Sequence, residues 1–230
     1  MGIRNKKLKV NATGDITVKE AIDLLDLDKK QIEIRQAKAQ ADMAELDLQE
    51  RLRDQGLNSD DYCEYHFFGA VTDESILDCV TFFKYLDRNY PDAPFSIDLN
   101  SHGGYCHAGN ALFDYLSSWS LRGGGQHELT ITVRGEALSM GSLLLQAADH
   151  RVMGQTSQLM IHEASTVVGG RASDIEDGLN SLRLLEERAV RIFCERSGLD
   201  RDQFLGWYRR RDWWLSADEA VSLGLADRIG

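Results

Sequence analysis

Long apolar runs are missing from this 230-residue chain. Nowhere does it keep up the roughly 18 uncharged apolar residues that a bilayer-spanning helix needs, and the basic start, MGIRNKKLKVNATGD, has no apolar stretch behind it to act as an export signal. Positive charge is also short. Lysine and arginine total 26 against 37 acidic residues, a formal net charge of -11, so the mean field repels phosphate backbones and anionic membrane surfaces. Nucleic acid and membrane are therefore not expected partners. Cysteine is limited to Cys63, Cys79, Cys106 and Cys194, without the paired spacing of a zinc site or the density of a disulfide scaffold. These read as reduced thiols of a cytoplasmic protein, and none sits in an activating frame. Metal catalysis lacks its motifs as well: His102 and His107 lie on a glycine-containing segment with no HExxH and no carboxylate cluster beside them. No metal and no cofactor is called for, and there is neither an internal repeat nor a low-complexity tract.

What is present is material for one sizeable core, 43% hydrophobic residues, with an appendage at the N-terminus. Residues 1–16 are polar and basic. The capping-box pattern Thr17-Val-Lys-Glu20 then opens a stretch free of Gly and Pro as far as Gly56, which predicts a helix of about 35 residues. Leu25, Ile32, Ala39 and Leu46 repeat along one face and Leu27, Ile34, Ala41 and Leu48 along a nearly opposite one. That suits a helix gripped from two sides, or a charged helix that tethers or projects. GLNSDD, residues 56–61, reads as the linker, dividing the chain into an extension (1–60) and a folded domain (61–230).

Beyond the linker the texture changes. HFFGAV, a helix over about 73–89, FSIDLNS, a helix over about 108–119 and LTITVRG alternate strand with helix, the pattern of βαβ units and a mainly parallel sheet. VMG and LMIH read as further strands. Ser173-Asp-Ile-Glu176 reads as a second capping box opening a long helix that stops at Gly198.

Three short segments can carry chemistry. In RGEALSMGS, Ser139 follows an apolar strand and opens an apolar helix, a corner that presents the side chain next to unpaired backbone N–H groups; the same residues also serve as an ordinary helix cap. His162 ends the short strand LMIH, a place for an edge residue or for a base at the carboxyl end of a parallel sheet. Gly103-Gly104 after the strand DLNSH allows close backbone approach, as in an oxyanion site or a plain turn.

Taken together, NSHGG, GEALSMGSLLLQAA, LMIHEAS, GGRASDIE and RRDWWLSADEAVSLGLAD resemble, in order and spacing, the blocks of the Clp protease proteolytic subunit (ClpP) family over roughly residues 66–229. The resemblance implies an α/β fold, the ClpP/crotonase-like spiral of βαβ units with a protruding strand-helix handle, here preceded by the long N-terminal helix. It implies a serine endopeptidase acting on unfolded or extended polypeptides, with Ser139 as nucleophile, His162 as base and Asp212 orienting the base. Without it, Asp212 reads as an exposed acid countering Arg209, Arg210 and Arg211. The backbone N–H groups of Gly104 and Met140 would form the oxyanion hole. The segment holding Ser165, Thr166, Val167, Val168, Gly169 and Gly170 would pair with the substrate strand. Stacked homo-oligomeric rings, heptameric in the family, and an AAA+ unfoldase or a partner ring as partner are implied too.

The chain departs from the pattern at His102, where the family has proline, in a slightly shorter Ser139–His162 loop, in a Gly-rich insertion, Arg122-Gly-Gly-Gly-Gln126, expected as a surface loop, and in its first 60 residues. That last departure puts the ATPase partnership in question and resembles ClpP-like phage capsid-maturation proteases. Other readings are a catalytically silent ring or scaffold subunit and a crotonase-type acyl-CoA enzyme, which would not need all of Ser139, His162 and Asp212.

Overall fold

The computed structural model describes residues 29–40, 42–43 and 63–230. The chain forms two compact units, Met1–Ser59 and Asp60–Gly230. In the first, the described residues are helical (α1), and all are exposed, Ile32, Ile34 and Met43 included. The expected start of that helix at Thr17–Glu20 and the linker at 56–61 lie outside the described residues.

The second unit is built on a sheet whose main path is β1(Cys63–Val71), β2(Phe95–Gly104), β3(Leu129–Leu138), β4(His150–Met153) and β7(Arg228–Ile229), all paired in parallel. β2 shows why it belongs there: Phe95, Ile97, Leu99, Ser101 and Gly103 are buried and the residues between them are not, the period-two signature of a strand with one face on the core. Its neighbour β3 has two partners along its other edge. Thr130–Val133 pair with β4, whereas Glu136–Leu138 pair with β5(Gln158–Ile161). Between these halves Gly135 takes φ 99, a value open to glycine, and lets the strand turn from one set of neighbours to the other. β5 then pairs antiparallel with β6(Trp213–Ser216). The sheet thus forks at β3, and the fork creates the edge on which the candidate site sits.

Helices cover the sheet. α2(Asp73–Asn89) begins at Thr72, where Ser75 N–H donates to Thr72 Oγ1 (3.2 Å) and Thr72 N–H to Ser75 Oγ (3.0 Å). It buries Ile76, Cys79, Val80, Phe82, Phe83 and Leu86, one apolar face at helical spacing. Phe83 meets Phe95 at 4.7 Å between centroids, and Phe95 stacks on the buried His127 at 3.7 Å. α3(Cys106–Trp119) starts earlier than its apolar pattern predicts, straight after the diglycine. Short α4(Met140–Leu145) is buried throughout. α5(Ala172–Ser197), 26 residues long, buries only Val190, Ile192 and Phe193 near its C-terminal end, so its first two thirds project from the core. Gly198 ends it with φ 74, as its position predicts. α6(Arg201–Tyr208) and α7(Ala217–Ser222) complete the unit.

One local expectation is corrected and another is given its anchor. The N-terminus of α5 is not organised by Ser173 and Glu176: Arg171 is the N-cap, and its N–H donates to the Asp174 carboxylate at 2.9 Å. A carboxylate is the stronger acceptor for an exposed first-turn N–H, and that backbone hydrogen bond holds the Asp174 carboxyl below its ordinary range. The Gly-rich insertion, although exposed, is an anchored turn. Asp149 accepts the N–H groups of Leu121 (3.1 Å), Arg122 (2.8 Å) and Leu129 (2.8 Å), and a Cβ on Gly123 or Gly125 would run into the carbonyls of Ser117 or Trp119.

The C-terminal end is tied down by charge. The Arg151 side chain, 5% exposed, bonds Asp227 through Nη2 (2.5 Å) and Nε (3.2 Å), and Gln146 Oε1 through Nη1 (2.7 Å). Burial pushes the Asp227 carboxyl upward, but the hydrogen bonds and charge of Arg151 outweigh it, leaving the group below the usual carboxylate range. A carboxyl depressed in the folded state stabilises above its unfolded value, near pH 4, and the gain is lost as pH falls through the folded value. Asp227→Ala is therefore expected to cost roughly 2 kcal/mol at neutral pH: it strands a buried guanidinium, but Asp227 is 38% exposed and solvent screens its half of the pair. Urea titrations check this: the gap to wild type narrows as pH drops below about 4.

Candidate active site

Adjacent strands bring the expected triad together in the order β3, β5, β6. Leu138 is level with Met160 in the β3–β5 ladder, and the next residue, Ser139, donates its N–H to Met160 O at 2.8 Å. Two residues after Met160 comes His162. β6 runs the other way, with Ile161 opposite Trp213, so one rung further His162 comes opposite Asp212. A one-residue slip would send the Asp212 side chain to the wrong face of the sheet.

The side chains meet accordingly. His162 Nε2 is 2.8 Å from Ser139 Oγ, and His162 Nδ1 is 3.6 Å from Asp212 Oδ1. The His162 side chain is 33% exposed and that of Asp212 60%. Ser139 has φ 53 and ψ -119, outside the regions favoured by L-residues, and is held there by its bond to Met160 and by Ser142, whose N–H (3.0 Å) and Oγ (2.6 Å) both donate to Ser139 O. Arg210, with φ 61, is the other non-glycine residue at positive φ among the described residues. Such conformations cost about 1–3 kcal/mol each and cluster where geometry serves chemistry.

The diglycine packs against this corner. A Cβ on Gly103 would lie 2.7 Å from Ser139 Cβ and 3.1 Å from Met140 N, so the absent side chain leaves open the space in front of the Met140 N–H. Gly104, at φ 156, passes so close to β1 that a Cβ there would meet Val71 O at 2.2 Å. The Gly103 N–H is committed to Ser101 Oγ (3.1 Å) and the Tyr105 N–H to Val71 O (2.9 Å).

Two depressions open beside the pair. One, next to Ser139 and His162, has apolar walls that include Met140, Leu143, Ile161 and Phe193. Cys106, Glu186 and Tyr208 also line it. Burial, then the charge of Glu163, pushes the Glu186 carboxyl above its ordinary range. The other is a groove shared by Gly104, Tyr105, Ser165, Thr166, Val168 and Leu182. The segment expected to pair with substrate therefore faces the diglycine across a groove, yet residues 162–169 carry no strand pairing of their own. Val167 is fully exposed, and Gly169 and Gly170 lie outside the groove lining.

The four cysteines are free, and burial pushes every thiol upward, away from the thiolate form that a cysteine nucleophile needs. Sequence reasoning missed a polar trio on β1 and β2, Glu64, His66 and Asp98. Asp98 there already accepts Arg134 Nε at 3.0 Å, and that positive charge opposes a cation. It missed Glu163 too, whose position next to His162 was the available signal. Among the described residues no helix is long and apolar enough to cross a membrane.

Comparison with known proteins agrees with this architecture. The Clp protease family profile matches residues 62–230. The ATP-dependent Clp protease proteolytic subunit 1 of Chlamydia caviae is 32% identical over 167 residues, 71% of this chain and 84% of the relative. Its counterpart in Chlamydia trachomatis serovar D is 30% identical over 71% of this chain and 83% of the relative. With a profile match over most of its length and relatives aligned over 71% of it, the chain belongs to the Clp protease family and is a peptidase of the ClpP-like kind.

Proposed function

We propose that the protein is a serine endopeptidase in which Ser139, His162 and Asp212 work as a triad. The observation that carries this reading is the 2.8 Å contact between His162 Nε2 and Ser139 Oγ, made by a serine held in a conformation that costs energy. Ser139 Oγ attacks the peptide carbonyl carbon while His162 Nε2 takes its proton. Asp212, on the Nδ1 side, favours the tautomer whose accepting nitrogen faces the serine and stabilises the imidazolium that forms. The proton passes to the leaving amine, and a water then repeats the sequence on the acyl-enzyme. The Nδ1–Asp212 spacing of 3.6 Å is looser than a hydrogen bond and is expected to tighten once substrate closes the site.

Negative charge developing on the carbonyl oxygen is taken by the N–H groups of Met140 and Gly104. The first of the two glycines is ruled out as donor because Ser101 Oγ already holds its N–H. An extended chain enters along the groove beside Ser165, Thr166 and Val168 and adds a strand to that segment, whose flanks Val167, Gly169 and Gly170 leave its backbone accessible. This mode selects unfolded polypeptides. The relatives are named as proteolytic subunits of ATP-dependent proteases, which supports a homo-oligomeric chamber and an AAA+ unfoldase as partner. The projecting part of α5 is the natural contact between subunits.

Labelling with a fluorophosphonate, read by intact mass on the assembled protein, tests the reading. Wild type is expected to take one adduct per chain and Ser139→Ala none. An assembled wild type that stays unlabelled would refute a self-sufficient peptidase.

A further inference from the structure

The chemistry proposed above depends on Asp212, yet more than half of that side chain is exposed, and among the described residues His162 is its ion-pair partner. Its place is set by the backbone turn that precedes β6. Arg209 N–H donates to Leu205 O (3.1 Å) where α6 ends, and the Arg211 guanidinium folds back onto Trp207 O (2.6 Å) and Gly206 O (2.5 Å). Between them Arg210 stands in the left-handed region, which a side chain larger than Asn rarely enters unless its surroundings hold it there.

What holds it is a carboxylate from across the site. Glu163, the residue after the base, accepts the Arg210 N–H at 3.0 Å, joining positions 47 apart in sequence. We propose that Glu163 is a positioning residue for Asp212: it fixes the left-handed turn two residues before the acid and so sets the distance from Asp212 to His162. The same backbone segment thus carries both the base and the clamp. Any shift of His162 along β5 carries the Asp212 turn with it, and the pair moves as one body. The role needs an acceptor oxygen at that site, not a charge, so a glutamine amide satisfies it and a methyl does not. A residue serving only as a surface carboxylate would lose its role equally in the glutamine and alanine variants.

This inference rests on the serine-peptidase reading, and its test separates the two. In the assembled protein Glu163→Ala is expected to lower kcat for a fluorogenic peptide about 30-fold with KM within about twofold, because the lost contact matters only when the imidazolium forms. Glu163→Gln stays within about threefold of wild type. Arg210→Gly, which makes the left-handed turn accessible without a clamp, is expected to recover much of the loss in the Glu163→Ala background. Independently of any activity, hydrogen exchange at the Arg210 amide rises at least about tenfold in Glu163→Ala and not in Glu163→Gln. An unchanged exchange rate, or equal kcat losses for the alanine and glutamine variants, overturns the proposal. If wild type neither labels nor cleaves, the peptidase reading falls, and the exchange measurement still decides whether Glu163 holds the turn.

Discussion

Alanine at Ser139 or at His162 is expected to lower kcat for peptide cleavage by roughly 10⁵- to 10⁶-fold, and alanine at both to lower it no further. In the proposed triad the 2.8 Å contact couples the two side chains: a serine without its base is a poor nucleophile, and a base without its serine has nothing to deprotonate. What survives in each variant is the same residual catalysis by substrate binding and backbone N–H donors. Asp212→Ala loses less, roughly 10⁴-fold, because the imidazole can still visit the productive tautomer. KM should change little in the set, since none of the three groups grips the substrate in its ground state. Single-turnover cleavage of a fluorogenic peptide separates chemistry from binding. Multiplicative losses in the Ser139→Ala/His162→Ala double variant would mean that the residues act independently and would sink the triad.

Which parts of this molecule could be read beforehand follows from physics. β2 and α2 were legible because their apolar residues repeat with the period of the element, two in Phe95–Leu99 and helical in Ile76–Leu86. The stop of α5 was legible because a glycine stands at the left-handed position. The start of α5 was misread, since Ser173 and Asp174 both offer acceptors and only the three-dimensional path decides which one bonds. β6 was not read as a strand at all. Four residues, Trp213–Ser216, are too few to show a period, and what makes them a strand is the edge of β5 waiting to be paired.

That omission matters for the site. Local context put Ser139 and His162 forward, a serine at a strand-helix corner and a histidine at a strand end, alongside the plainer readings of a helix cap and an edge residue. It could not put Asp212 forward, because its proposed role depends on the antiparallel register with β5, and only resemblance to a family pointed to it. Arg209, Arg210 and Arg211 made a counter-ion look the simpler explanation. In the fold they do other work: one ends a helix, one takes the left-handed turn, one returns to helix carbonyls.

Gly103→Ala is expected to reduce kcat about 1,000-fold while leaving the protein folded. The added methyl would sit 2.7 Å from Ser139 Cβ and 2.8 Å from Leu138 O, closer than real contacts allow, so the nucleophile must move. It would also lie 3.1 Å from Met140 N, in the space a carbonyl oxygen needs to reach that donor. Loss of one such donor alone costs about 100- to 1,000-fold, and displacement of Ser139 from its near-attack position adds to it. Part of any effect comes from forcing alanine to φ 92, a strain of about 1–3 kcal/mol. Gly124→Ala supplies the control: its φ is 88, nearly the same, but a Cβ there meets nothing within 4 Å. Both variants should stay folded, Gly103→Ala melting lower because only it adds a buried clash, and only Gly103→Ala should lose activity and fluorophosphonate labelling. Should the two retain equal kcat, the diglycine would be a structural turn, and the oxyanion site would have to be sought elsewhere than in front of Met140.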